Sequence, residues 1–241
     1  MYRYSLLIVS SLFFFLPFKV LAIQVSDLFV VANKEDKAVV TVTNVQDSRI
    51  FLNTSVSEIF LDKGDLREKK YTKNNIDEWK LNIFPARAIL EPSFKKDIIM
   101  KFKCVEKKCD RNRDHVFKVG LVPVPYYEGE LDASLVQFAI GFAPIVIVPA
   151  NPAEIELEYS YSDSGALSLI NHGKTFLYVD VIPKNCDVKI SCKRPLKILA
   201  GRKFDLTADE FKGQQLEIKA RTYRSVFKEE VVIRPGSKGV L

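Results

Sequence analysis

The sequence predicts an all-β protein made of two β-sandwich domains in tandem. Three observations predict it. Apolar and polar residues alternate in short runs, as in KAVVTVTN (Lys37 to Asn44) and EIELEYS (Glu154 to Ser160). Strand-favouring aromatic side chains dominate, with 17 Phe and 9 Tyr against 2 Met and 1 Trp. Turn residues recur at roughly 8–12-residue spacing, the rhythm of a sandwich or barrel. A length of 241 residues suits one large or two small domains.

The elements follow in order. Val25 to Ala32 reads as a strand, and the turn Asn33–Asp36 leads into Lys37 to Asn44, with Val40 and Val42 on one face. Arg49 to Phe60 continues the pattern, and Trp79 to Ile83 is a short strand. In IFPARAILEP (Ile83 to Pro92), Pro85 and Pro92 bracket a strand Ala88 to Leu90. Proline is tolerated at strand starts and edges, so this segment reads as a strand switching between sheets or as a plain sandwich edge. Ile98 to Phe102, Phe117 to Val124 and the apolar run Leu135 to Val148 complete the first half. Pro149 and Pro152 then break the chain and place a domain boundary near residue 151. Leu167 to Asn171, Thr175 to Pro183, Lys197 to Leu199, Gln215 to Thr222 and Glu230 to Ile233 are further strands, punctuated by Gly165, Gly173, Gly201 and Gly213. Helices are few, and Thr207 to Phe211 is one turn at most. Domains over 23–150 and 151–241 have the sizes of two immunoglobulin-like sandwiches, without the long Cys…Trp…Cys signature of antibody domains.

The N-terminus predicts export. MYRYSLLIVSSLFFFLPFKVLA carries Arg3, an apolar run from Leu6 to Phe18, and Val20 and Ala22 ahead of a cleavage point. That is the pattern of a secretory signal peptide over 1–22. The run is shorter than the ~20 residues that span a bilayer. The cysteines agree. Cys104 and Cys109 in KCVEKKCD, and Cys186 and Cys192 in NCDVKISC, are two close pairs in an exported chain and favour two local disulfides. Their spacings are too long for a zinc site, and no metal or cofactor is expected.

The formal charge is +6, a basic excess too diffuse to argue for nucleic acid. It is also uneven: no Lys or Arg occurs from Val119 through Gly173. Catalytic patterns are missing. His115 and His172 fall in different domains, and Ser162–Gly165 (SDSG) lacks the strand–elbow–helix setting of a nucleophile. Glu128 and Glu130 read as a solvated turn. The sequon Asn53-Thr54-Ser55 lies inside a strand. No enzyme is expected.

The segment from Asp132 to Pro152 is unusual. Val136, Phe138, Ile140 and Phe142 take alternate positions, with Gln137, Ala139 and Gly141 between them. One face is a ladder of large apolar groups. It is either a fully buried core strand or a strand offered to a partner, and four such side chains would contribute roughly 6–12 kcal/mol gross on burial. Lending a strand to another protein's sheet is β-augmentation, the mode of donor-strand complementation.

The secretory leader, the alternating start, the Ile83-x-Pro85-x-Arg87-x-Ile89-Leu90-x-Pro92 pattern, the strand Ile98–Phe102 and the ladder leading to Pro149 together resemble a periplasmic pilus chaperone of the PapD-like superfamily. The detail is nearest to the alternate class serving colonisation-factor-type fimbriae. The resemblance implies two immunoglobulin-like domains in an L or boomerang, no cofactor, and a cleft that binds fimbrial subunits for delivery to the outer-membrane usher. It makes Val136, Phe138, Ile140 and Phe142 the donor ladder. The better-known relatives anchor the subunit's C-terminal carboxylate with an Arg and a Lys. The matching positions here are Leu28 and Ala143 or Pro144, none of them basic. Thr41, Thr43 or Arg87 are the substitutes the sequence offers. The competing reading is a secreted immunoglobulin-like adhesin or pilus structural component. An exposed ladder of this size is usually covered until used, for instance by a second copy of the chain in a homodimer.

Overall fold

The computed structural model describes residues 20–62, 65–103, 109–126, 138–151, 153–185, 192–207, 211–225 and 228–241. Strands β1 (Val20–Val25), β2 (Phe29–Val31), β3 (Lys37–Asn44), β4 (Ile50–Asp62), β5 (Asp65–Lys70), β6 (Leu81–Phe84), β7 (Arg87–Leu90), β8 (Lys95–Phe102), β9 (His115–Pro125), β10 (Phe138–Ile140) and β11 (Ile145–Val148) form two sheets. One has the order β10-β1-β3-β8-β6 and the other β2-β11-β9-β4-β5, with β7 also on β4. Strands β12 (Leu157–Tyr161), β13 (Ala166–Asn171), β14 (Leu177–Pro183), β15 (Arg194–Ile198), β16 (Lys203–Thr207), β17 (Leu216–Arg221), β18 (Lys228–Ile233) and β19 (Lys238–Val240) form two more, β16-β13-β12-β19 and β15-β14-β17-β18. No described strand pairs between the two sets.

Alternation drives each sandwich shut. In β3 the even positions Ala38, Val40, Val42 and Asn44 are buried and meet Ile98, Met100 and Leu52 in the first core. Leu157, Leu169, Val179, Ile218 and Phe211 fill the second. Each core is organised at one corner by a fully buried asparagine. The Asn44 amide donates to the carbonyls of Ser48 and Leu90, and the Asn171 amide to those of Thr175 and Ile198. A buried amide must be paired, so each fixes the loops it bonds.

One expected strand is corrected, and four elements are added. The single strand expected over Val25 to Ala32 is two strands, because β1 pairs antiparallel with β3 while β2 pairs parallel with β11 in the opposite sheet. The hairpin strand β5 and a 3-10 helix, Lys73–Glu78, were not legible: every residue of β5 is exposed, so no alternation marks it. Strands β16 and β19 were likewise unmarked. The segment between Pro85 and Pro92 does switch sheets, since β6 pairs β8 and β7 pairs β4. Strand β1 begins at Val20, so its first three residues are those expected to close the leader; Val20, Leu21 and Ala22 lie parallel to Phe138, Ala139 and Ile140.

The two sandwiches meet at one carboxylate. Asp114, just before β9, accepts hydrogen bonds from Ala150 N at 2.7 Å, Phe176 N at 2.6 Å and the Thr175 hydroxyl at 3.0 Å. Its own amide donates to Lys174 O at 2.9 Å. Burial pushes the Asp114 carboxyl pKa up, and these bonds oppose that shift. Phe176, fully buried, meets Phe29 of the first sandwich edge-on at 5.6 Å.

Removing the carboxylate in Asp114→Ala leaves three donors without their acceptor and should cost about 3 kcal/mol in urea denaturation, with the two domains no longer unfolding together. Unchanged coincident transitions would contradict this. A second test concerns Glu58, which receives Lys80 Nζ at 2.6 Å and lies 3.9 Å from His115 Nδ1. Burial raises its pKa, but the bonds to His115 and Lys80 outweigh burial and hold it below the usual 4.5. The fold thus favours ionised Glu58, a contribution present at neutral pH and lost as pH falls through that lowered value. Glu58→Gln should therefore be destabilised by about 1–2 kcal/mol at neutral pH, and the deficit should shrink under acid.

Candidate functional site

The site grows from the point where the chain changes sheets. Strand β10 lies in one sheet beside β1, and β11 in the other between β2 and β9. Gly141 makes the crossing. A Cβ there would stand 2.7 Å from the Leu121 carbonyl oxygen and 3.2 Å from Val122 Cγ2, so only glycine lets the two backbones approach. Phe142 then forms a two-way bridge with Leu121, its N–H donating to Leu121 O at 2.9 Å and its carbonyl accepting from Leu121 N at 2.8 Å.

Of the expected ladder, only Ile140 and Phe142 have described side chains, and the two differ. Ile140 is 52% exposed, whereas Phe142 is half-buried and packs on the first core. Phe138 is paired through its backbone with Val20. Val136 lies outside the described residues, as do Glu128 and Glu130.

Strand β9 supplies the second part of the site. One edge is paired with β4 from Val116 to Pro125. The other edge meets β11 only as far as Lys118, then Phe142 at Leu121. From Val122 to Pro125 that edge has no strand partner among the described residues. The outer face alongside it is apolar. Ile89, Phe51 and Val124 sit directly opposite one another across β7, β4 and β9, and Val122 lies next to Gly141. Ile89, Val122 and Val124 are exposed. Sequence reasoning missed this face. The readable signal was apolar character on both faces, as in Ile50-Phe51-Leu52 and Leu121-Val122.

The proposed polar substitutes do not converge. Thr41 and Thr43 lie on β3, and the Thr41 hydroxyl donates to Asp97 at 2.7 Å. Arg87 opens β7 in the opposite sheet, across from Asn53. The strand geometry therefore does not assemble the three into one anchor. Leu28 and Ile145, by contrast, do meet: Ile145 N donates to Leu28 O at 2.9 Å. Cys109 and Cys192 are each disulfide-bonded, while Cys104 and Cys186 lie outside the described residues.

The groups that a hydrolase would need make separate local contacts here. His115 is buried, with Nε2 2.9 Å from the Asp110 carbonyl, and His172 faces Glu158 at 2.7 Å. Ser162 closes the β12–β13 turn, its hydroxyl receiving Ala166 N at 3.0 Å. No group of metal-binding side chains occurs among the described residues.

A Gly141→Ala substitution must push the Leu121 backbone aside. We expect a loss of about 1–3 kcal/mol in first-domain stability, read by denaturation, with altered amide signals at Leu121 and Val122. Wild-type stability with unshifted signals would show that the crossing tolerates a side chain.

Comparisons with known proteins agree with this architecture. The chain is similar to a class 5 fimbriae chaperone, CfaA, at 17% identity and TM-score 0.55, covering 89% of this chain and 99% of that one. It is similar to the SafB chaperone structure from Salmonella enterica, in complex with the SafA pilin, at 14% identity and TM-score 0.56, covering 90% and 99%. The E. coli chaperone DraB matches at 11% identity and TM-score 0.54, covering 91% and 98%. These likenesses establish the fold, two immunoglobulin-like β-sandwiches. No curated protein matches the chain in sequence. The family model of the CS5 fimbrial protein N-terminal domain matches residues 25–149, more than half of the sequence and the whole region that carries β2 to β11, and the chain belongs to that family.

Proposed function

We propose that this protein is a periplasmic chaperone that binds fimbrial or pilus subunits by donor-strand complementation and delivers them to an outer-membrane usher. The observation that carries the reading is the sheet crossing at Gly141. It leaves a β9 edge with no partner among the described residues, beside an apolar face of Ile89, Phe51, Val124 and Val122, with Ile140 exposed next to it. Unpaired strand edges recruit other strands. Apolar side chains at alternate positions then fill pockets in the incoming sheet.

In this reading Val136, Phe138 and Ile140 enter the subunit, and Phe142 pins the base of the donor strand to the core. Residues 23–150 are the subunit-binding domain and 151–241 the second domain. A leader over 1–22 directs export and is removed. Its removal takes away Val20–Ala22, the described strand partners of β10. Disulfides join Cys104 to Cys109 and Cys186 to Cys192. The role is non-enzymatic and uses no cofactor.

The test is co-purification from periplasm with a co-expressed candidate fimbrial subunit. Wild type should retain subunit stoichiometrically. Ile140→Asp should remain folded, because the side chain is more than half exposed, and should retain about tenfold less. Equal retention by the variant, or no capture by wild type, would overturn the reading.

A further inference from the structure

The second domain carries a row of cations that no carboxylate among the described residues pairs with. Strand register places Lys197, Tyr178, Arg221 and Lys228 directly opposite one another across β15, β14, β17 and β18, and residues so paired share a face. Three positive charges therefore stand in one line. The next row on the same face is different. It holds Pro195, Asp180, Lys219 and Glu230, and its charges are matched: Lys193 reaches Asp180 at 2.7 Å, and Lys219 reaches Glu230 at 3.2 Å. Among the described residues no carboxylate pairs with Lys197, Arg221 or Lys228. Arg221 and Lys228 even face each other as like charges, an arrangement that costs stability.

The row is also held in place and lies at the joint. Lys197 Nζ sits 4.1 Å from the centre of the Phe29 ring, and the Arg221 guanidinium 4.4 Å from that of Tyr178. Stacking on rings fixes a cation without satisfying its charge. Phe29 belongs to the first domain and follows Leu28, whose carbonyl holds Ile145. The second domain thus brings a cation to the sheet crossing, in a region where the first domain has no Lys or Arg from Val119 through Pro149. Asp27 is the nearby acid, and its carboxylate is engaged by Phe29 N at 2.8 Å.

We propose that Lys197, Arg221 and Lys228 form a carboxylate-binding subsite on the second domain that receives an acidic group of the bound subunit. The inference rests on the subunit-binding reading for its ligand, but the site can be tested without a subunit. Three probes distinguish the source of the carboxylate: N-acetyl-Ala-Ala-Phe with a free C-terminus, its C-terminal amide, and N-acetyl-Ala-Glu-Phe amide. Each is titrated into the exported full chain while the Arg221 Nε–H and Tyr178 ring signals are followed by NMR. The free acid should shift both signals and the neutral amide neither. A response to the Glu peptide as well would extend the site to acidic side chains. Lys197→Gln combined with Arg221→Gln, with an unchanged unfolding midpoint, should abolish the shift of the Tyr178 ring signals, the reporter that this variant keeps. The same double variant should weaken a subunit complex by about tenfold, the low end for a charged hydrogen bond. If the neutral amide shifts the signals equally, or neither acid does, no subsite exists. If Ile140→Asp loses the subunit while the double variant binds it at full strength, the subsite is overturned and the chaperone reading stands. If wild type captures no subunit, the chaperone reading fails and the peptide titration alone decides the subsite.

Discussion

The Asp114 carboxylate is the constraint on which the two-domain molecule depends. It gathers Ala150 N from the linker and Thr175 and Phe176 N from the second sandwich, while its own amide bonds Lys174. A buried carboxylate with three donors is costly to disrupt, because every group it holds would lose its partner together. The bond to Phe176 N seats a buried aromatic ring against Phe29. Phe29 in turn carries Lys197 over its face. One acidic side chain thereby fixes the linker, the aromatic contact between the sandwiches and the place where a second-domain cation reaches the first domain.

Among the described residues the first sandwich leaves part of one strand edge unpaired. Its first and last strands both change sheets, β1 to β2 at Ser26–Leu28 and β10 to β11 at Gly141–Pro144. A strand that crosses leaves part of an edge without a neighbour. Here the vacated stretch is β9 from Val122 to Pro125, next to side chains that are apolar on their solvent face. In the second sandwich the unusual feature among the described residues is the cationic row. The two unusual features, an apolar edge and an unneutralised row, sit on different domains on either side of the Asp114 joint.

Much of this was written in local pattern. Alternation in Lys37–Asn44 and Glu154–Ser160 gave those strands, because a half-buried strand must alternate. The proline bracket around Ala88–Leu90 left a sheet switch or a plain edge open, and strand pairing decided for the switch. Strand β5 was silent, since a hairpin exposed on both faces needs no apolar period. Period two alone does not show that the chain changes sheets at Gly141, where Ile140 is exposed and Phe142 packs on the core.

The sequence by itself determined the all-β class, the two sandwiches, and the segment that is unusual, because each follows from neighbours along the chain. Tertiary structure alone decided which strands lie at edges, which apolar faces stay open, that Thr41 and Arg87 stand on different sheets, and that Lys197, Arg221 and Lys228 form one row. Those facts depend on pairing between residues far apart in the chain. Strand register sets that pairing, and no local period encodes it.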